Sequence, residues 1–66
     1  MQIILNGSAT KIPDKLSAAG LVEHLELGDK RLAIEINREI VPRSQYEHTA
    51  LHPNDNVEIV HAIGGG

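Results

Sequence analysis

An α+β fold, with one helix packed across a face of a mixed sheet, is what this sequence predicts, on three observations. Leu32-Ala33-Ile34-Glu35-Ile36 alternates with the period of two that marks a half-buried strand, and Val57-Glu58-Ile59-Val60-His61 reads as the last strand. A single helix signature, from Ser17 to Gly28, lies between strand-like segments. Apolar residues make up 41% of the chain, yet Tyr46 is its one aromatic, so branched aliphatics must build the core, and these favour strands. One helix laid across a sheet buries the apolar face of both elements at once.

Each element has its own local reason. Gln2-Ile3-Ile4-Leu5 reads as a buried strand running into Asn6-Gly7, a strong hairpin signal because both residues tolerate positive φ. The predicted return strand is Ala9-Thr10-Lys11-Ile12, closed by Pro13, which cannot donate to a ladder. Ser17 is placed to cap the helix by accepting from first-turn amides. Leu16 before the cap and Leu21 at the fourth helical position form a hydrophobic staple. Leu21, Val22 and Leu25 continue the apolar stripe, while Glu23, His24 and Glu26 face away. Gly28 is expected to be the left-handed residue that ends the helix. Gly20 inside the first turn costs up to about 1 kcal/mol relative to Ala.

Leu32 to Ile36 is the next strand, Asn37-Arg38 turns the chain, and Glu39-Ile40-Val41 returns as a short strand before Pro42. Arg43 to Leu51 has weak periodicity and reads as an irregular helical turn plus loop. Pro53-Asn54-Asp55-Asn56 is a turn cluster, and Val57 to His61 the last strand. The predicted core is Ile3, Ile4, Leu5, Ile34, Ile36, Ile40, Val57 and Ile59.

Composition narrows the function classes. The 66 residues make one small domain, which buries only about 60% of its unfolded surface. Cysteine is absent, so disulfides, thiol nucleophiles and thiolate metal sites are excluded. The net charge of −3 and the near absence of aromatics argue against a nucleic-acid partner. No apolar run is long enough to span a membrane, and no basic, apolar leader opens the chain, so the cytoplasm is the expected compartment.

The chain then ends in Val60-His61-Ala62-Ile63-Gly64-Gly65-Gly66. Residues 1–61 are expected to fold and residues 62–66 to form a flexible tail. Disordered ends are common, and an inert tail is the ordinary reading. The alternative is that the Gly66 carboxylate is the working group. A carboxylate is a poor electrophile, but a mixed anhydride with AMP supplies a leaving group that a sulfur nucleophile can displace. Gly64, Gly65 and Gly66 lack Cβ atoms and can thread a narrow channel in a partner's active site. Ala62 to Gly66 reach at most ~18 Å when extended. Ile63, next to this stalk, is a candidate docking anchor, as is Val60 unless it closes the core.

The order of elements together with a Gly-Gly end resembles the ubiquitin-like β-grasp fold, and the whole chain is similar to the sulfur carrier family of thiamine thiazole biosynthesis. Three stretches carry the resemblance: the opening MQIILNG, the central AIEINREIVPR with Asn37, Ile40, Val41, Pro42 and Arg43, and the final glycines Gly65 and Gly66. Gly64 departs from the small residue such as Ala expected there. The resemblance implies a carrier acting as cosubstrate, with no catalytic residue and no bound cofactor of its own. An E1-like adenylating enzyme would charge Gly66 using Mg-ATP, a cysteine-based donor would supply sulfur, and thiazole synthase would accept it. The rivals are the small subunit of molybdopterin synthase, a ubiquitin-like protein modifier, and a plain interaction domain with an inert tail.

Other constellations are weaker. His48 and His52, four apart, would share a helical face, but no third ligand is evident and solvated loop histidines are the ordinary reading. His24 is expected on the outer helix face, and His61 completes the histidines. Glu35 and Glu39 are expected on the solvated side of two strands, not as an acid–base pair. Arg38 and Arg43 are expected to pair locally. No helix follows the glycines to complete a phosphate-binding loop.

Overall fold

A computed structural model of the chain describes residues 1–28 and 31–61. The elements are β1 (Gln2–Leu5), β2 (Ser8–Lys11), α1 (Ala18–His24), β3 (Leu32–Ile36), β4 (Glu39–Val41), a 3-10 turn (Arg43–His48) and β5 (Asn56–His61). The five strands form one sheet in the order β2-β1-β5-β3-β4. The first and last strands run parallel at its centre, and every other pairing is antiparallel. The expected mixed sheet with one helix is therefore present.

Both hairpins turn on positive φ. Asn6 and Gly7 join β1 to β2 at φ 48° and 84°, and Asn37 and Arg38 join β3 to β4 at 51° and 70°. Mirror-image turns of this kind match the right-handed twist of the flanking strands. Asn37 does more than turn. Its amide nitrogen donates to Asp55 Oδ1 at 3.1 Å, its carbonyl Oδ1 accepts from Asn56 N at 3.0 Å, and its backbone N–H donates to the Asn56 carbonyl. The β3–β4 turn is thus stapled to the start of β5.

Helix α1 begins as the sequence predicts. Ser17 Oγ accepts from Gly20 N at 3.0 Å, and Leu21, four residues past the cap, is fully buried. Gly20, read from sequence only as a cost, has a packing reason: an added Cβ would lie 2.9 Å from Leu16 Cδ1, so the staple leucine occupies that space. The helix ends earlier than expected. Leu25 is the C-cap, and Glu26, at φ 56°, is the left-handed residue that ends the helix; Gly28 is left-handed too, at φ 63°, but lies two residues beyond that end. Glu26 N donates to the Glu23 carbonyl and Leu27 N to the Val22 carbonyl, the paired bonds of a Schellman end. The Val22 and Leu27 side chains both pack on the core, which supplies the apolar contact that fixes this end without glycine.

The core lies between α1 and the sheet: Ile3 from β1, Ile34 from β3, Val57 and Ile59 from β5, and Ala18 and Leu21 from α1, closed by Ile12 and Leu51. Leu5 and Ile36 pack against it half-buried, whereas Ile4, predicted for the core, is half-buried but outside it, because it alternates with the inward-facing Ile3. Ile40 corrects the predicted core, being 74% exposed. It sits opposite Glu35 in the β3–β4 register, on the sheet face away from the helix. Ile12 and Leu51 were not anticipated in the core: Ile12 closes the predicted return strand but lies one residue past the observed β2, and Leu51 lies in a segment without periodicity. Ile12 N donates to the Met1 carbonyl, and Leu51 N to the Leu16 carbonyl. These bonds draw both flanking segments over the core.

Candidate functional site

Strand β5 is the element that carries the predicted site. It is the middle strand of the sheet, hydrogen-bonded to β1 on one side and β3 on the other. The pairing with β1 covers Ile4↔Asn56 and Leu5↔Val57, after which β1 turns away. There the Asn6 side chain takes over: its Oδ1 accepts from Ile59 N at 2.9 Å and its Nδ2 donates to the Ile59 carbonyl at 3.2 Å. One amide side chain thereby replaces one rung of the ladder. Past Ile59 the pairing among the described residues is with β3, through Ala33↔Val60 and Leu32↔His61. The Tyr46 hydroxyl donates to the Leu32 carbonyl at 3.3 Å, so the chain's one aromatic braces the strand opposite His61.

The arrangement is a rigid central strand whose last described residue, His61, is clamped on one side. Ile63, Gly64, Gly65 and Gly66, the residues singled out for docking, threading and modification, lie outside the described residues, as does the whole segment 62–66. Val60 does not close the core. It is 58% exposed, on the same helix-free face as Ala33 and Ile40.

The remaining candidates separate in space. The 3-10 turn stops at His48, so His48 and His52 do not share a helical face. His52 instead pairs with Asp55, donating its backbone N–H to Oδ2 at 2.9 Å with Nδ1 3.8 Å away. Among the described residues no group of three or more His, Cys, Asp or Glu is placed to hold a metal ion. Glu35 pairs opposite Ile40 and Glu39 opposite Ile36, which puts the two carboxylates on opposite faces of the sheet. The local ion pairs expected of Arg38 and Arg43 are not found among the described residues. No helix among the described residues is long and apolar enough to cross a membrane. The feature that sequence reasoning missed is Asn6, read only as a turn residue. A side chain that acts fifty-three positions away leaves no local signal.

A single helix across a mixed five-stranded sheet, with its first and last strands parallel at the centre, defines a ubiquitin-like β-grasp domain. A solved thiamine biosynthesis protein (ThiS) from Geobacter metallireducens superposes with a TM-score of 0.87 over the full length of both chains, at 25% identity. The ThiS family pattern matches residues 3–66, and the chain belongs to that family. The sulfur carrier protein ThiS of Bacillus subtilis is 35% identical over 63 residues, covering 94% of this chain and 96% of its own. Relatives named sulfur carrier protein ThiS thus match the chain almost from end to end. A thiazole synthase of Paramagnetospirillum magneticum is also 35% identical over 66 residues, and there this chain spans only 20% of the relative's length.

Proposed function

We propose that the chain carries sulfur for thiazole formation in thiamine biosynthesis on the carboxyl group of Gly66. The observation that carries the reading is the reach of the family match, which runs from residue 3 through Gly66 and so includes the glycines. An E1-like enzyme forms the mixed anhydride of Gly66 with AMP from Mg-ATP, releasing pyrophosphate. Sulfur at the sulfide level, supplied by a cysteine-based donor, then attacks the acyl carbon. The bond to AMP breaks as the carbon–sulfur bond forms, leaving a thiocarboxylate. Thiazole synthase accepts that sulfur in the cytoplasm. The names of the relatives, ThiS and thiazole synthase, favour this acceptor over molybdopterin synthase.

The folded domain has a defined part in this chemistry. Ordering a glycine stalk inside a partner costs roughly 1–2 kcal/mol per residue, so binding energy must come from the sheet to which β5 is fixed. The test is intact mass after incubation with ATP, the adenylating enzyme and a cysteine-derived sulfur source. A gain equal to sulfur replacing oxygen, absent when Gly66 is deleted, is expected. A mass ladder of conjugates would make the chain a modifier, and an unchanged mass with active enzymes would end the proposal.

A further inference from the structure

Ile59 is bonded on its β1 flank although β1 has already turned away. Strand β1 holds β5 through Ile4 N to the Asp55 carbonyl and Asn6 N to the Val57 carbonyl, both at 2.8 Å. The next two bonds of such a parallel ladder would use the Asn6 carbonyl and the Ser8 N–H. By then the chain has reversed, with Asn6 at φ 48° and Ser8 opposite Leu5 in the antiparallel hairpin. The Asn6 side chain supplies both bonds instead, accepting from Ile59 N at 2.9 Å and donating to the Ile59 carbonyl at 3.2 Å. The hairpin needs only a residue that tolerates positive φ at this position, which glycine does as well. The amide is therefore doing something for β5 that the turn does not ask of it.

We infer that Asn6 is a positioning residue for the charging of Gly66: its amide holds Ile59 so that the stalk leaves the sheet along the line a partner's channel accepts. The inference rests on the carrier function proposed above. Ile59 lies seven residues before Gly66, at most ~25 Å of extended chain. A tilt of about 10° at Ile59 displaces the far end of a stalk that long by ~4 Å. Misplacing a reacting atom by about 1 Å can slow a reaction about a hundredfold. Glycines can bend to undo a tilt, but each bend must then be ordered inside the channel. Ile59 is the residue at which the direction is set. Its side chain is fixed in the core and its backbone by Asn6, and Val60 and His61 continue that line in register with β3.

The test is the first-turnover rate of pyrophosphate release by the adenylating enzyme, measured over a range of carrier concentrations beside the melting midpoint. The carrier is the varied substrate, which separates aiming from stability. A carrier that is merely less stable acts as a lower concentration of substrate, so its half-saturating concentration rises and the maximal rate stays native. A carrier that docks with its stalk misdirected is held but reacts slowly, so the maximal rate falls. Asn6→Gly keeps the turn and removes the rung. Its maximal rate should fall about tenfold or more, with half-saturation moving less than about threefold. Asn6→Asp keeps the turn and the acceptor for Ile59 N but sets an oxygen against the Ile59 carbonyl, and its maximal rate should fall as well. If Asn6→Gly does not fold, Asn6→Asp decides. Ser17→Ala, which loosens the start of α1 and not β5, should keep the native maximal rate. A native maximal rate in the folded Asn6 variants overturns the inference, as does an equal loss in Ser17→Ala. Native protein that is not charged at all would instead end the carrier function itself.

Discussion

Asn6 and Glu26 are two residues where one side chain or one dihedral angle decides more than its neighbourhood suggests. Asn6 satisfies both backbone groups of Ile59 where β1 has ended. Removing its amide leaves a half-buried donor and acceptor unpaired, at roughly 1–3 kcal/mol. Asn6→Ala should therefore lower the melting midpoint by several degrees, and its Ile59 amide should exchange with deuterium faster than that of Val57. Glu26 holds φ 56° without being glycine. Left-handed backbone costs a side-chain-bearing residue about 1–2 kcal/mol, partly offset by the greater unfolded entropy of glycine. Glu26→Gly should stabilise by about 0.5–1 kcal/mol, which thermal unfolding would show as a rise of a few degrees. A fall would mean that the packing of Val22 and Leu27 on the core depends on Glu26 itself.

At the scale of elements, the start of α1 couples two residues that sequence rules treat separately. Gly→Ala within a helix ordinarily gains up to about 1 kcal/mol. Here the new Cβ would lie 2.9 Å from Leu16 Cδ1, so Gly20→Ala should deliver less than that or destabilise. In a Leu16→Ala background the obstruction is gone and the ordinary gain should return. A double-mutant cycle by denaturant unfolding measures the coupling, and additive effects would refute it. Ser17→Ala tests the cap alone and should cost about 1 kcal/mol. The strands and both hairpins were legible because period-two alternation and the Asn6-Gly7 and Asn37-Arg38 pairs are local signals. The end of α1 was misplaced at Gly28 because a Schellman end is stabilised by the packing of Val22 and Leu27, which spacing does not reveal.

For the molecule as a whole, folding and chemistry are expected to separate. The core is built from residues no later than Ile59, so deletion of Gly66 should leave the melting midpoint unchanged while abolishing the gain of sulfur mass. Ile3→Ala should do the reverse, costing 2–5 kcal/mol of stability as a buried aliphatic while leaving whatever stays folded chargeable. A lowered midpoint on deleting Gly66 would contradict that division. By itself the sequence determined the α+β class, the strands and turns, the helix start, and the glycine pattern that resembles a carrier's end. Each of these follows from interactions within a few residues of chain. Only the tertiary structure decided which apolar residues are inside: Ile40 lies in a strand as Ile34 does, yet it is exposed, and of the adjacent pair Ile59 and Val60 only Ile59 is buried. It also decided that Asn6 completes the pairing of β5 and that Glu35 confronts Glu58. Register and face depend on which strands meet, and strands distant in the chain meet only when the whole sheet has formed.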